Sequence, residues 1–226
     1  MATSGSTDFS LNARQIITYA LGKLAVIDPI SGPSAEDIET GKENLNVMLK
    51  SWQADVPSLW RETEGSTALV AATASYSITA AYKISSVRYR NASGYDLEMQ
   101  ELTRDEYYSL PNKSAAGAPH SYYVDRQRAG ITIYIYGVPA SVTTETIKYT
   151  YQRRFEDIDS LTDDLDLPAE RLALVGYWLA LFMAPEFGAG VDARRLSSIE
   201  SMAMMLMQQA KADGRESVYR FEPVRR

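Results

Sequence analysis

The densest set of side chains that could do chemistry is a run of six carboxylates just before Pro168. It consists of Glu156, Asp157, Asp159, Asp163, Asp164 and Asp166. Two acids at a suitable separation can hydrolyse a glycosidic bond, one as proton donor and the other as base or nucleophile. A calcium loop requires the D-x-D-x-D-G pattern, which this run lacks. Because charges in a polar connector are usually solvated, we interpret the run as a surface segment.

The other residue types with catalytic potential are scarce. The sequence contains no cysteine, which excludes disulfides, thiolate nucleophiles and cysteine-ligated zinc. Its one histidine, His120, follows Pro119 with no nucleophile-elbow serine or carboxylate nearby, and we interpret it as a loop residue. No glycine-rich phosphate loop is present. We therefore expect a protein that is not an enzyme and that has no catalytic residues, cofactor or metal site.

The composition bounds the class of protein. A chain of 226 residues with 45% apolar content can form one large domain or two lobes. Its longest apolar run, residues 172–184, is too short for a membrane span, and the first residues lack the pattern of a secretion signal. The net charge of −6 argues against a broad surface that binds nucleic acid. We expect no membrane partner.

Four segments near the two chain ends carry apolar residues at helical spacing. They are residues 12–27, 35–54, 168–184 and 191–212. Ser34 is a suitable N-cap for the second helix, whose apolar stripe runs to Trp52. Trp60 follows where the chain leaves that helix, and we expect both tryptophans to be packing residues rather than a ligand platform.

The middle of the chain, residues 65–153, has strand periodicity instead. It holds 12 of the 15 tyrosines, and Ile131, Ile133 and Ile135 alternate with polar or tyrosine positions. A hairpin is predicted around Asn91-Ala-Ser-Gly94. The fold class is therefore α+β. A four-helix bundle-like lobe forms from residues 10–62 and 155–212, residues 65–153 form an inserted antiparallel β lobe, and residues 213–226 form an extended C-terminal arm.

The last helix and the arm are the predicted contact surfaces. Leu196, Ile199, Ala203, Leu206 and Ala210 form its predicted core stripe. The methionines extend apolar surface around the helix, as at a subunit contact, although a fully buried helix remains the alternative. They are Met202, Met204, Met205 and Met207. The arm mixes aromatic and basic residues, as in segments that order on a partner. These residues are Tyr219, Arg220, Phe221, Arg225 and Arg226.

Four stretches, taken together and in order, carry a family resemblance. They are LNVMLKSWQADVPSLW at 45–60, GAPHSYYVDR at 117–126, ITIYIYGVPA at 131–140 and LALFMAPEFG at 179–188. The chain resembles, over residues 11–212, the head-to-tail adaptor (connector) proteins of tailed bacteriophages, especially the tail accessory or tubular proteins of short-tailed phages. The marker residues of this resemblance are Trp52, Trp60, Pro119, Tyr122, Asp125, Pro185 and Glu186.

The resemblance implies a structural virion protein at the portal vertex, made in the host cytoplasm. It implies a homo-oligomeric ring, usually of twelve copies, beneath the portal protein. The ring extends the DNA channel, helps retain the packaged DNA and supports the next component, a tail tube, nozzle or fibre protein. Within the arm, residues 217–226 form the segment that matches the portal-binding region of relatives. The β lobe departs from the smallest, wholly helical members. DNA is expected to pass without tight binding, because basic phosphate contacts would hold the genome back.

Three other readings remain open from the sequence. A head-closure or stopper ring of a long-tailed phage shares the DNA path but plugs it. A tail-associated glycan hydrolase would use the carboxylates and tyrosines, and its activity would depend on acids of the β lobe. A carbohydrate-binding module requires exposed tyrosines on one face of the sheet.

Overall fold

The computed structural model describes residues 5–27, 30–55, 59–141 and 144–213. The chain divides into two compact units. The helical unit comprises Met1–Ser58 and Phe155–Arg226, and the β unit comprises Leu59–Arg154. With five helices and two largely antiparallel sheets in its described residues, the protein is α+β, as predicted. None of the helices in those residues is both long and apolar enough to cross a membrane.

The described helices number five in chain order. They are α1 (Ala13–Leu24), α2 (Ala35–Asp55), α3 (Arg104–Ser109), α4 (Leu172–Phe187) and α5 (Ala193–Asp213). All except α3 belong to the helical unit. In that unit α4 is central, because it packs against α1, α2 and α5. It is apolar on all sides, which suits a helix with three neighbours. Its buried side chains include Leu174, Val175, Leu179 and Met183.

The helix ends follow local chemistry. Asn12 and Gln15 form a reciprocal capping box at the start of α1, with Asn12 Oδ1 2.9 Å from the Gln15 backbone nitrogen. Ser34 caps α2 in the same way, with its hydroxyl oxygen 3.1 Å from the backbone nitrogen of Asp37. The prediction that Ser34 is an N-cap is therefore confirmed. α1 ends at Leu24, earlier than predicted, because Ala25 adopts the left-handed conformation with φ of 55°.

The third predicted helix is displaced toward the C-terminus. Residues Ala169–Arg171 form a 3₁₀ turn, and α4 begins only at Leu172. The helix continues through Pro185 to Phe187, although the prediction ended it at residue 184. Pro185 lies in the last turn, where the missing proline N–H removes a single backbone hydrogen bond. Gly188 follows with φ of 47°, a conformation that glycine adopts readily.

The β unit contains two four-stranded sheets. The strands are β1 (Glu62–Ala68), β2 (Ser75–Ile78), β3 (Ala81–Arg90), β4 (Asp96–Glu98), β5 (Gln100–Leu102), β6 (Ser121–Gln127), β7 (Gly130–Tyr136) and β8 (Thr146–Arg153). One sheet has the order β1-β8-β3-β4 and is antiparallel throughout. The other has the order β2-β7-β6-β5, in which β5 pairs with β6 in parallel. Side chains from both sheets share one buried core.

The predicted alternation holds in the core strands. Ile131, Ile133 and Ile135 are buried at 2%, 0% and 0% exposure, while the intervening residues of β7 are half-buried. The hairpin at residues 91–94 is also confirmed, because β3 pairs with β4 on either side of it. In this turn the Asn91 side-chain oxygen accepts hydrogen bonds from the backbone N–H groups of Ser93 and Tyr95, both at 3.0 Å.

Candidate assembly surfaces

The exposed face of α5 carries three methionines. Met202, Met204 and Met205 are 37%, 47% and 45% exposed. The buried face consists of Ile199, Ala203, Met207 and Ala210. Long apolar side chains that a helix leaves in water are unusual enough to indicate a contact surface.

Met207 does not belong to the exposed face, and its assignment to the predicted subunit contact is corrected. It lies four residues after Ala203, so both point toward the core of the helical unit. Its exposure is 8%. The predicted core residues Leu196 and Leu206 are only half-buried. The buried stripe is therefore rotated relative to the predicted one, and the exposed set contains three methionines instead of four.

The exposed face borders a small apolar cleft of about 250 Å³ in the helical unit. Its floor includes Trp52 and Trp178, and Met204 forms part of its wall. The Trp178 indole donates a hydrogen bond to the backbone oxygen of Ala203 at 3.2 Å, which ties α4 to α5. Met204 therefore joins the exposed face of α5 to an apolar depression in the same unit.

A larger apolar cleft of about 550 Å³ lies elsewhere in the helical unit, and the sequence reasoning did not identify it. It is lined by Phe9, Leu11, Gln15, Thr18, Tyr19, Ala169, Leu172 and Ala173. Phe9 is 69% exposed. The signal that could have found this cleft was the isolated Phe9 just before the cap of α1. We call these eight residues the Phe9 cleft.

The last described residue of α5 forms an ion pair close to the start of α4. Asp213 Oδ2 is 3.3 Å from a guanidinium nitrogen of Arg171. Arg171 directly precedes Leu172 and follows Ala169 by two positions, and both of those residues line the cleft. The ion pair therefore holds the end of α5 near the start of α4, the element that supplies Leu172 and Ala173 to the cleft. Residues 214–226, which include the predicted portal-binding residues of the arm, lie outside the described residues.

A third cleft of the helical unit is polar and basic. It has a volume of about 590 Å³ and is lined by Lys23, Tyr177, Asp192, Arg194, Arg195, Ser198 and Ile199. The Lys23 ammonium lies 4.4 Å from the ring centroid of Tyr19 and 5.2 Å from that of Tyr177. Asp192 accepts hydrogen bonds from the backbone N–H groups of Arg194 and Arg195 at 2.8 and 3.1 Å. This carboxylate caps the start of α5.

The acidic run forms a local turn. Asp163 Oδ2 accepts hydrogen bonds from the backbone N–H groups of Asp159 and Ser160, at 3.1 and 2.7 Å. Asp157 pairs with Lys50 at 2.5 Å. In the described part of the chain, no three acidic or histidine side chains converge as a metal ion would require. The run therefore organises the connector that precedes α4.

His120 and the tyrosines of the β unit mainly contact other rings. The exposed His120 ring lies edge to face against Tyr136, with 5.1 Å between centroids. Tyr107 and Tyr123 are stacked at 5.2 Å. Among the described tyrosines only Tyr95 and Tyr108 are exposed, at 70% and 54%. These two residues lie on different elements, at the β3–β4 hairpin and on α3.

Two acids of the β unit, Glu64 and Asp96, form ion pairs with basic side chains. Glu64 lies 2.6 Å from Arg88 and 3.9 Å from Lys148. Asp96 accepts two hydrogen bonds from Arg90, at 2.6 and 2.7 Å. These hydrogen bonds from the Arg90 guanidinium hold the pKa of the Asp96 carboxyl below its ordinary value. These pairs link strands of one sheet.

The marker residues of the family resemblance occupy different environments. Trp52 is buried at 6% exposure, and Trp60 is half-buried in a 3₁₀ turn, Leu59–Arg61. Pro119 and Tyr122 are buried, and Asp125 is half-buried on β6. Pro185 and Glu186 are exposed near the end of α4. Glu186 accepts a hydrogen bond from the side chain of Asn44 at 2.7 Å, so it links α4 to α2.

No protein-family model and no curated protein matches the sequence. Among solved structures, the chain is similar to a chain from the neck of an empty GTA particle computed with C6 symmetry. The two chains are 13% identical, and the match covers 90% of this chain and 94% of that chain with a TM-score of 0.31. A TM-score this low does not establish a common fold, and the match carries no argument about function.

Proposed function

We propose that the protein is a structural virion protein of a tailed phage that forms a ring adaptor between the portal and the tail. In this role it extends the DNA channel and helps retain the packaged DNA. The proposal is supported by the family resemblance of the sequence. The structural observation that carries it is the exposed methionine face of α5, the helix that directly precedes the arm.

The methionine face suits a contact between identical subunits. Met202 and Met205 are one helical turn apart and lie on the same side of α5. Flexible methionine side chains adapt well to a partner surface. A contact between two different faces of neighbouring copies repeats around an axis and closes a ring when the rotation allows it. The face therefore supplies one half of such a contact.

The helical unit also carries a candidate for the other half of the contact. The exposed side of α2 presents three acidic residues followed by an exposed Val47. The acidic residues are Glu36, Glu39 and Glu43. On α5 the exposed Arg194 and Arg195 precede the methionines in the same manner. Placing α2 of one copy along α5 of the next would pair acids with arginines and Val47 with the methionines.

The electrostatics of the chain suit a DNA conduit. The net charge is −6. Tight binding to duplex DNA requires several lysines or arginines that neutralise phosphates and release counterions. A conduit functions better without such contacts, because each one slows the passage of the genome. We therefore propose that DNA passes through the ring without being bound tightly by it.

The proposal is tested by mixing the protein with purified portal rings and imaging the particles by electron microscopy. A second ring of this protein on one face of the portal is the expected result. Variant chains lacking residues 214–226 should dock poorly, because the arm is the proposed portal-binding segment. Absence of any added ring with the full-length chain would contradict the proposal. Density that closes the axial channel would favour a stopper ring instead.

The arm and the methionine face are separable in this experiment. Loss of docking after removal of residues 214–226 reports on the arm. Isolated subunits on the portal without a closed ring would instead report on the contact between copies. Docking of the shortened chain at the level of the full chain would show that the arm is not the portal-binding segment.

A further inference from the structure

The Phe9 cleft lacks a partner within the described residues, although its lining is suited to bind apolar side chains. Four of its residues are aromatic or aliphatic with large side chains, namely Phe9, Leu11, Tyr19 and Leu172. Its volume of about 550 Å³ is in the range of clefts that enclose small ligands. Ala169 and Ala173 are exposed and leave room beside them. Such a cleft could take one or two aromatic rings from another segment.

The chain itself has such a segment directly after α5, whose end lies near the start of α4. The described part of α5 ends at Asp213, which pairs with Arg171 at 3.3 Å, next to the lining residue Leu172. The following thirteen residues, GRESVYRFEPVRR, contain Tyr219 and Phe221. Tyr219 lies six positions after Asp213, and six extended residues span about 20 Å. Both aromatic residues are therefore within reach of the cleft.

The charges of the segment and of the cleft are complementary. Residues 214–226 contain four arginines and two glutamates. Around the cleft, Asp8 and Glu170 directly adjoin lining residues in sequence, and Asp164 forms a β-bridge with Asn12, which adjoins Leu11. The nearby cations are Arg14, Lys23 and Arg171, of which Arg171 is already paired with Asp213. A basic segment is therefore favoured over an acidic one.

We propose that residues 214–226 bind in the Phe9 cleft of their own chain when no portal is present, with Tyr219 and Phe221 as the apolar anchors. The inference deepens the proposed function, because the same anchors are the candidate portal-binding residues. Binding in the cleft keeps these aromatic side chains out of water until the portal competes for them. The arm is then released only where its partner is present, which limits premature association of free subunits.

The proposal is tested by disulfide crosslinking in the full-length chain, which has no cysteine of its own. Ser217→Cys is combined with Ala173→Cys, since Ala173 is exposed in the cleft and its replacement leaves the core intact. The matched control combines Ser217→Cys with Gln209→Cys. Gln209 is also exposed, and it lies on α5 four residues, or about 6 Å, from Asp213.

Under mild oxidation, the Ala173 pair should form an intrachain disulfide about tenfold faster than the Gln209 pair, because binding raises the local concentration of the segment at the cleft. Adding Tyr219→Ser and Phe221→Ser, or adding Phe9→Ser, should reduce the rate to that of the control. Equal rates for the two pairs would overturn the proposal. The proposal would also be overturned if the Ala173 pair formed its disulfide equally fast with and without the side chains of Tyr219 and Phe221.

Other occupants of the cleft give distinct results. Crosslinked dimers whose yield rises with protein concentration would show that the segment binds a second copy, and would overturn binding within one chain. All of these measurements are made without portal rings. Failure of the crosslink together with normal ring docking would therefore reject the cleft proposal alone. A normal crosslink without docking would reject the adaptor function alone.

Discussion

Trp52 of α2 and Trp178 of α4 pack edge to face, with ring centroids 6.3 Å apart and ring planes at 86°. This geometry places the positive edge of one ring against the negative face of the other. Trp178 also donates its indole hydrogen to α5 through the backbone oxygen of Ala203. The pair therefore connects three helices beside the cleft that Met204 borders.

Replacing Trp52 with alanine should strongly destabilise the helical unit. The side chain is only 6% exposed, so its removal loses apolar burial and leaves a cavity. The expected loss in free energy of unfolding is about 3–5 kcal/mol, measured by urea denaturation. Val47→Ala is the control on the same helix, because Val47 is 61% exposed. Its effect should stay within about 0.5 kcal/mol. Equal effects of the two substitutions would contradict the proposed packing role.

The double substitution Met202→Ser with Met205→Ser should abolish ring closure on the portal while leaving the isolated subunit as stable as the unmodified protein. Both side chains are exposed, so the fold of the subunit does not depend on them. Met207→Ala is the opposite control, because Met207 is buried and its truncation should cost about 2–5 kcal/mol. Electron microscopy and thermal unfolding separate the two effects. Complete rings formed by the double variant would remove α5 from the subunit contact.

Replacing two helix glycines with alanine should change the free energy of unfolding in opposite directions. A Cβ on Gly41 of α2 would overlap Cγ2 of the buried Ile17 of α1. Ile17 is β-branched and fully buried, so Gly41→Ala should destabilise by about 1–3 kcal/mol. A Cβ added to Gly22 of α1 would instead point into open space. Gly22→Ala should stabilise by about 0.5–1 kcal/mol, because alanine favours the helix. Urea midpoints test both, and a stabilising Gly41→Ala would show that α1 and α2 pack less closely.

The β unit should lose stability at high pH. Burial, followed by the hydrogen bond that the Tyr89 hydroxyl donates to Glu145, raises the pKa of Tyr89 to about 12. Burial, followed by the charge of Glu101, raises the pKa of Tyr122 to about 12. A raised pKa in the folded state contributes stability that is complete below the ordinary value of 10.0 and is lost as the pH rises toward 12. Absorbance titration at 295 nm and melting curves between pH 9 and pH 12 report this loss.

Tyr122→Phe provides the control for the alkaline transition. It retains the ring but removes the ionisable hydroxyl, so the dependence of stability on pH between 10 and 12 should become shallower. If the wild-type and variant curves coincide over this range, Tyr122 does not contribute to the transition.

The isolated protein should show little affinity for duplex DNA at physiological salt. Its net charge is −6, and three basic residues of one sheet, Arg88, Arg90 and Lys148, lie against Glu64 or Asp96. Gel shifts with duplex DNA should give no complex at protein concentrations up to about 1 μM. A complex below that concentration would count against the conduit proposal. Repeating the titration at low salt checks that any residual binding is electrostatic.

The strands were the most predictable part of the fold. In β7 the alternation of Ile131, Ile133 and Ile135 determines which face is buried, because a strand offers only two faces. The parallel pairing of β5 with β6 was not predictable, since alternation identifies a strand without naming its neighbour. The short helix α3 was missed, although Thr103 and Glu106 form the capping box that marks its start.

The helix faces were less predictable for a geometric reason. Successive residues on a helix differ by about 100° in direction, so two adjacent apolar residues can lie on opposite sides of a boundary between core and solvent. Leu206 and Met207 illustrate this, because the core of the helical unit selects Met207 for burial. Phe9 was the sequence signal for the Phe9 cleft, but the shape of the cleft could not be predicted, since it depends on how residues 9–19 meet residues 169–173 in space. The role of the arm remains a prediction.

The pairing of β1 with β8 has an evolutionary consequence. Glu62 and Gln152 are direct partners across this pair, so the chain leaves the β unit beside the point at which it enters. Paired residues of antiparallel strands lie about 4.5–5.5 Å apart. An ancestral gene could therefore acquire, exchange or lose about ninety residues at one junction without rerouting the helices. Related proteins with and without the sheets can share one helical scaffold, and lineages can diversify in the sheets while the scaffold is conserved.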